Sequence, residues 1–241
     1  MGGSAGVIEL EVPGQGAATI NALTLADDGA QLFRAAALPV VAELLSVLAC
    51  LPADQAGVRI SAMPALHRYL ASDGAIGALA SRTLGADSRA VRAILFDKSQ
   101  GTNWSLAWHQ DRTICVRERV EAAGFGPWSI KAGLHHVAPP FDLLARMVTL
   151  RVHLDNVPNT NAPLLIAPGS HRLGRVPVDR VADVIARSAT VACLAATGDV
   201  WAYSTLILHA SVAATQPARR RVLQVDFSAD ALPGQLEWLG I

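Results

Sequence analysis

Trp108-His109-Gln110-Asp111-Arg112-Thr113 places an imidazole and a carboxylate two positions apart. In an extended strand, residues i and i+2 project to the same face, so His109 and Asp111 can grip one ion while Gln110 turns away. A second imidazole, His209, follows one hundred positions later in the apolar run Leu206-Ile207-Leu208-His209-Ala210. Side chains so far apart meet only if neighbouring strands carry them. The stretch therefore predicts a sheet structure that folds residues 109, 111 and 209 onto one point.

The flanking sequence has the texture this requires. From about Arg89, short runs rich in Val, Ile and Leu are punctuated by Gly, Pro, Asn and Asp. Strands are expected over 89–97, 112–118, 146–154, 163–167, 190–195, 199–203, 206–213 and 220–228. Pro158-Asn159, Pro168-Gly169 and Gly198-Asp199 mark turns between them. Eight short strands separated by turns fit an antiparallel roll of two sheets. Upstream the pattern differs. Val40, Val41, Leu44, Leu45 and Leu48 recur at helical spacing, predicting a helix over 38–50 closed by Pro52. Residues 63–85 read as helical in two pieces broken near Asp73-Gly74, and 19–25 as a strand or helix start. The expected fold class is mainly β with flanking helices, a double-stranded β-helix (jelly roll, cupin-like). One domain is expected over 1–241, with a helical part at about 20–88 and a core at about 89–228.

Composition narrows the partners. An apolar fraction of 51% is ample for a core without staples. Twenty basic residues balance twenty acidic ones, which argues against nucleic acid or an anionic membrane as the main partner. Leu38–Leu51 is short for a membrane span and carries Glu43. Cys50, Cys115 and Cys193 are odd in number and lack CxxC spacing, so they read as reduced thiols. The Gly-rich N-terminus lacks a basic flank followed by an apolar stretch, so a cytoplasmic location is expected. The oligomeric state stays open.

Two imidazoles and one carboxylate make a facial site that suits Fe(II) and leaves the opposite face open, whereas structural zinc would call for thiolates. Arg220 follows His209 by eleven positions and alternates with Val222, Gln224 and Asp226 along the last strand. It can reach inward and bind a carboxylate through two parallel hydrogen bonds. Ser211, two positions beyond His209, can add another. Against this stands the plain reading of Arg219-Arg220-Arg221 as a solvated basic turn, expected to hold for at least two of the three.

These motifs resemble the phytanoyl-CoA dioxygenase family of Fe(II)/2-oxoglutarate oxygenases, especially its small bacterial members. Four stretches over residues 90–228 carry the resemblance: Phe96-Asp97-Lys98 ahead of Asn103-Trp104; Trp108-His109-Gln110-Asp111; Arg151-Val152-His153-Leu154-Asp155 leading to Pro168-Gly169-Ser170-His171; and Gly198-Asp199 through His209 to Arg220. The resemblance implies His109, Asp111 and His209 as iron ligands, with O2 as oxidant. It implies Arg220 and Ser211 as the dock for the distal carboxylate of 2-oxoglutarate, with Lys98 nearby and Trp128 lining that pocket. Halogenating relatives lose the carboxylate ligand, and Asp111 is present, which favours hydroxylation. Where many members have Asn-Gly, this chain has Asn161-Ala162-Pro163, so that turn should differ in shape.

Thr149, Arg151 and His153 share one face of a strand; turned inward, Arg151 and His153 would read a polar or anionic substrate. His135-His136 falls in a segment that could form a lid. Two alternatives remain: a metal-dependent cupin that does not use 2-oxoglutarate, and a catalytically silent relative that binds metal or metabolite. A small free metabolite is the expected partner.

Overall fold

The computed structural model describes residues 17–53 and 55–241. Its strands in chain order are β1 (Ala30–Phe33), β2 (Gly57–Ile60), β3 (Arg89–Lys98), β4 (Leu106–His109), β5 (Ile114–Val116), β6 (Trp128–Lys131), β7 (Leu134–Val137), β8 (Val148–His153), β9 (Leu164–Ile166), β10 (Val191–Cys193), β11 (Val200–Ser204), β12 (His209–Ser211) and β13 (Arg220–Ser228). They form a six-stranded sheet in the order β1-β11-β8-β13-β3-β2, a four-stranded sheet β10-β9-β12-β4, and a three-stranded sheet β5-β7-β6. Every pairing is antiparallel. The six- and four-stranded sheets face each other as a jelly roll, and one cavity between them receives residues from both.

Alternation along β3 shows why the sequence builds this. Ala93 and Leu95 face outward and pack under the helices, while Arg92, Ile94, Phe96 and Lys98 line the cavity. The outward face is roofed by helix 41–48 through Val41, Leu44 and Leu48, and by helices 67–70 and 77–84 through Tyr69, Leu70 and Ala80. Leu150, Val152, Leu223, Val225 and Phe227 complete that layer from β8 and β13. Each fully buried aliphatic or aromatic side chain there contributes about 1.5–3 kcal/mol. The expected break near residue 74 is real. A Cβ on Gly74 would lie 2.5 Å from the Arg68 carbonyl oxygen, so the chain turns there at close quarters.

The N-terminal part is not purely helical. It supplies β1 and β2, the two edges of the six-stranded sheet. Asp111 also differs from expectation, because β4 ends at His109 and the carboxylate lies just beyond it. Gln110 explains the departure. Its amide donates to the Gly174 and Leu206 carbonyls and accepts from the Val176 amide, pinning the chain to the loops beside the sheet. The basic triplet also departs from the solvated reading. Arg219 is exposed and pairs with Asp97, but Arg221 makes a two-pronged pair with Asp155, and Arg220 is buried. No helix among the described residues is long and apolar enough to cross a membrane.

Candidate metal centre and anion dock

His209 on β12 stands directly opposite His109 on β4. Their ring centroids are 4.3 Å apart, and candidate ligand atoms of His109, Asp111 and His209 all lie within 4.8 Å of one another. Each ring is oriented through Nδ1: that of His109 meets the Ala107 carbonyl at 2.8 Å, and that of His209 the Ile207 carbonyl at 2.9 Å. Both bonds occupy Nδ1 and leave Nε2 as the ring atom available to a metal. Burial, reinforced by His109 against the opposing pull of Asp111, takes His209 down to about 4, so it is neutral at physiological pH. Burial works against ionising Asp111, but Arg92 foremost, with His209, His109 and Lys131, holds the carboxyl below its ordinary value. Two imidazoles and an ionised carboxylate, without a thiolate, fit a divalent ion of the Fe(II) class.

Arg92 was not legible as a site residue. Its guanidinium bridges Asp111 at 3.3 Å and the buried Asp226 at 2.5 Å. Asp226 also accepts from Thr149, so the metal-facing carboxylate is anchored through Arg92 to the floor of the roll. A signal existed: Arg92 and Lys98 are cations on the same face of β3 as the apolar Ile94 and Phe96.

The cavity of about 570 Å³ holds the rest of the expected set except two residues. Arg220 pairs in register with Lys98 across β13 and β3. It is 2% exposed, donates to the Ala162 carbonyl at 2.7 Å, and leaves Nε buried without a partner. Lys98 donates to the Trp104 carbonyl at 2.7 Å and to Ser211 Oγ at 3.1 Å, with its ammonium over the Trp104 ring. Arg151 completes the group, bonding Gln224 at 2.7 Å with its own Nε unpartnered. Burial and repulsion from Arg220 and Arg151 push the Lys98 ammonium down to about 7; burial and Arg151 bring Arg220 down to about 9. These three buried cations have no carboxylate partner among the described residues, an arrangement that favours an added anion.

Trp128 and His153 do not line this cavity. Trp128 lies on β6, packed with the cluster of Val116, Val137 and Leu143, because the loop after β5 returns to make a separate sheet. His153 is 1% exposed with both ring nitrogens unpartnered, and burial with Arg151 and Arg220 nearby keeps it neutral. In the Asn161-Ala162-Pro163 turn, Ala162 sits at φ 51° and aims its carbonyl at Arg220. Of the histidine pair expected near a lid, His136 reaches the cavity.

The fold has counterparts among solved structures. The epimerase SnoN, in complex with Fe3+, alpha ketoglutarate and nogalamycin RO, aligns with a TM-score of 0.60 at 18% identity over 90% of each chain. EctD from S. alaskensis, with 2-oxoglutarate and 5-hydroxyectoine, aligns with a TM-score of 0.61 at 20% identity, covering 94% of this chain and 80% of its own. HygX from Streptomyces hygroscopicus, with nickel and 2-oxoglutarate, aligns with a TM-score of 0.58 at 15% identity, over 86% of this chain and 87% of its own. At such identities the likeness is one of fold. A search of curated proteins found no match. The sequence profile of phytanoyl-CoA dioxygenase matches residues 66–222, which span most of the roll and include His109, Asp111, His209 and Arg220. With a match over more than half its length, the chain belongs to the phytanoyl-CoA dioxygenase family.

Proposed function

We propose that this protein is an Fe(II)/2-oxoglutarate-dependent dioxygenase that hydroxylates an unactivated C–H bond of a small metabolite. The observation that carries the reading is one cavity with a His-Asp-His cluster on one wall and, on another, a buried Lys98–Arg220 pair that has no carboxylate partner among the described residues. His109, Asp111 and His209 would hold the iron. Bound there with 2-oxoglutarate, the ferrous ion supplies oxidising power from O2, with succinate and CO2 as co-products.

The chain's own residues do the rest. Arg220 and Lys98 receive the distal carboxylate of 2-oxoglutarate, and Ser211, already held by Lys98, faces the same dock. Ala162 fixes the guanidinium through its carbonyl, so little side-chain entropy is lost on binding. Ile94, Phe96, Leu106 and Leu164 give the cavity apolar walls that limit water beside the reacting centre. Residues 20–88 and 89–228 act as one domain in this reading, since β1 and β2 complete the sheet centred on β8, β13 and β3. The cupin alternative without 2-oxoglutarate loses ground to the buried Arg220. The epimerase activity of SnoN on a similar fold supports a second outcome, in which hydrogen is removed without oxygen transfer.

Purified protein with Fe(II), ascorbate and 2-oxoglutarate should release succinate slowly even without its substrate. His109→Ala, Asp111→Ala and His209→Ala should each abolish this while leaving the fold largely intact. Succinate release that is absent despite confirmed iron occupancy would instead support the silent relative. Once a substrate is found, isotopically labelled O2 separates hydroxylation, which puts label in the product, from epimerisation, which does not.

A further inference from the structure

The cavity has a second cationic end that the co-substrate does not need. Seven of its lining residues are Arg or Lys, against one carboxylate, Asp111. Most of these cations are engaged. Arg92 is held by Asp226 and Asp111, Arg112 by the Val176 carbonyl, and Arg151 by Gln224, while Lys98 and Arg220 form the dock assigned above to 2-oxoglutarate. Arg59 and Lys131 remain, and neither has an anionic partner among the described residues.

Their placement is built rather than incidental. Arg59 lies on the edge strand β2 opposite Ile94, on the inward face, with its Nε buried and unpartnered. Ile94 is four residues along β3 from Lys98, roughly 13 Å at strand rise, which sets Arg59 apart from the Lys98–Arg220 end of the cavity. Lys131 ends β6 and reaches the cavity from the other side, beside the tight turn at Ala132-Gly133. His136, on β7 opposite Ser129, lines the same cavity with Nδ1 tied to the Leu134 carbonyl and Nε2 available. Asp111 lines the same cavity as Lys131. Two cations without an anionic partner at the rim of this cavity attract and orient an anion.

We propose that Arg59 and Lys131 form a binding subsite for an anionic group of the primary substrate, a carboxylate or a phosphate. The proposal rests on the reading that Arg220 and Lys98 are taken by the co-substrate. The charged group would dock at this end and hold the body of the substrate along Ile94 and Phe96, beside the open positions of the metal site. His136 Nε2 would accept from a hydroxyl or amino group of the same molecule.

The test uses full-length protein, anaerobic, with Fe(II) and saturating 2-oxoglutarate so that the inner dock is filled. Acetate and methyl phosphate are titrated in separately by calorimetry. At least one should bind saturably, weakening roughly tenfold in Arg59→Gln and a few-fold in the more exposed Lys131→Gln. Acetate binding alone would mark a carboxylate substrate, and methyl phosphate alone a phosphorylated one. Should Arg59→Gln fail to fold, Lys131→Gln carries the comparison, because its side chain is largely solvated. No binding of either probe, or binding that neither variant weakens, would overturn the subsite. The visible charge-transfer band of the Fe(II)–2-oxoglutarate complex is followed in the same samples and should be unchanged in both variants. A missing band in the wild type, with probe binding still sensitive to Arg59 or Lys131, would sink the co-substrate reading and leave the subsite standing.

Discussion

Lys98 is the residue whose chemistry is most altered by its surroundings. Burial, Arg220 and Arg151 lower its ammonium to about 7, well under its ordinary 10.5. A carboxylate arriving between Lys98 and Arg220 reverses that repulsion and favours the charged form. Binding of 2-oxoglutarate should therefore take up a proton above neutrality. The sign is fixed by the direction of the shift: below about pH 7 Lys98 is already charged and affinity is flat, and above it affinity falls by up to tenfold per pH unit. Lys98→Met should bind 2-oxoglutarate more weakly but without this slope. Calorimetry in two buffers of different ionisation enthalpy reads the proton directly, and an absence of uptake at alkaline pH would remove Lys98 from the dock. Arg220→Ala should cost about 2–4 kcal/mol of 2-oxoglutarate binding, with iron affinity little changed. Equal losses of both would mean that Arg220 is misassigned. At this scale much was legible in the sequence. His109, Asp111, His209, Ser211, Lys98, Arg151 and Arg220 all reach one cavity. Trp128 was not correctly placed, because the loop lengths between β5 and β7 do not reveal which sheet a strand will join.

Among the elements, the turn Gly198-Asp199 shows how a short motif becomes structure. Gly198 has φ 87°, and an added Cβ would lie 2.7 Å from the Leu38 Cα, so both torsion and space demand glycine. Asp199 then fastens the turn to the N-terminal segment by accepting from the Ala35 and Ala196 amides and from Arg34. Gly198→Ala should cost roughly 2–4 kcal/mol, since strain and backbone overlap act together. Urea unfolding should show a lower midpoint with an unchanged slope; a loss under about 0.5 kcal/mol would mean the two segments part easily. All eight strands expected from apolar runs are present, with ends shifted by a few residues. Of the other five, β4 ends at His109 in the stretch read as extended, and the four that escaped notice are short or weakly patterned. β1 and β2 are four-residue edges, and β2 carries an inward arginine where an apolar residue would be looked for. The β6–β7 hairpin turns at Ala132-Gly133, both with positive φ. Alanine in the first of those positions hides the Asn-Gly or Asp-Gly signature by which such turns are recognised.

Taken whole, the molecule stores unfavourable charge in its centre. Lys98, Arg151 and Arg220 are each 5% exposed or less, and neighbours supply only neutral partners to them. Buried cations without anions lower stability, and the surrounding packing on the outer face of the large sheet must offset that cost. An anion that binds only the folded state should then stabilise the protein by mass action, by about 2.7 kcal/mol when present at about 100 times its dissociation constant. For a chain of this length that corresponds to a rise of roughly 5–10 °C in melting temperature. Scanning calorimetry with 2-oxoglutarate alone, before any metal is added, isolates this electrostatic part. Arg220→Ala should melt close to, or above, the unliganded wild type, because removing one of three mutually repelling cations relieves the core, yet it should gain little from 2-oxoglutarate. Arg59→Gln should keep the full co-substrate shift, since its anion site lies at the other end of the cavity. If Arg220→Ala were strongly destabilised and still responded to 2-oxoglutarate like the wild type, the buried arginine would be a structural strut bonded to the Ala162 turn. The co-substrate dock would then have to be sought at Arg151.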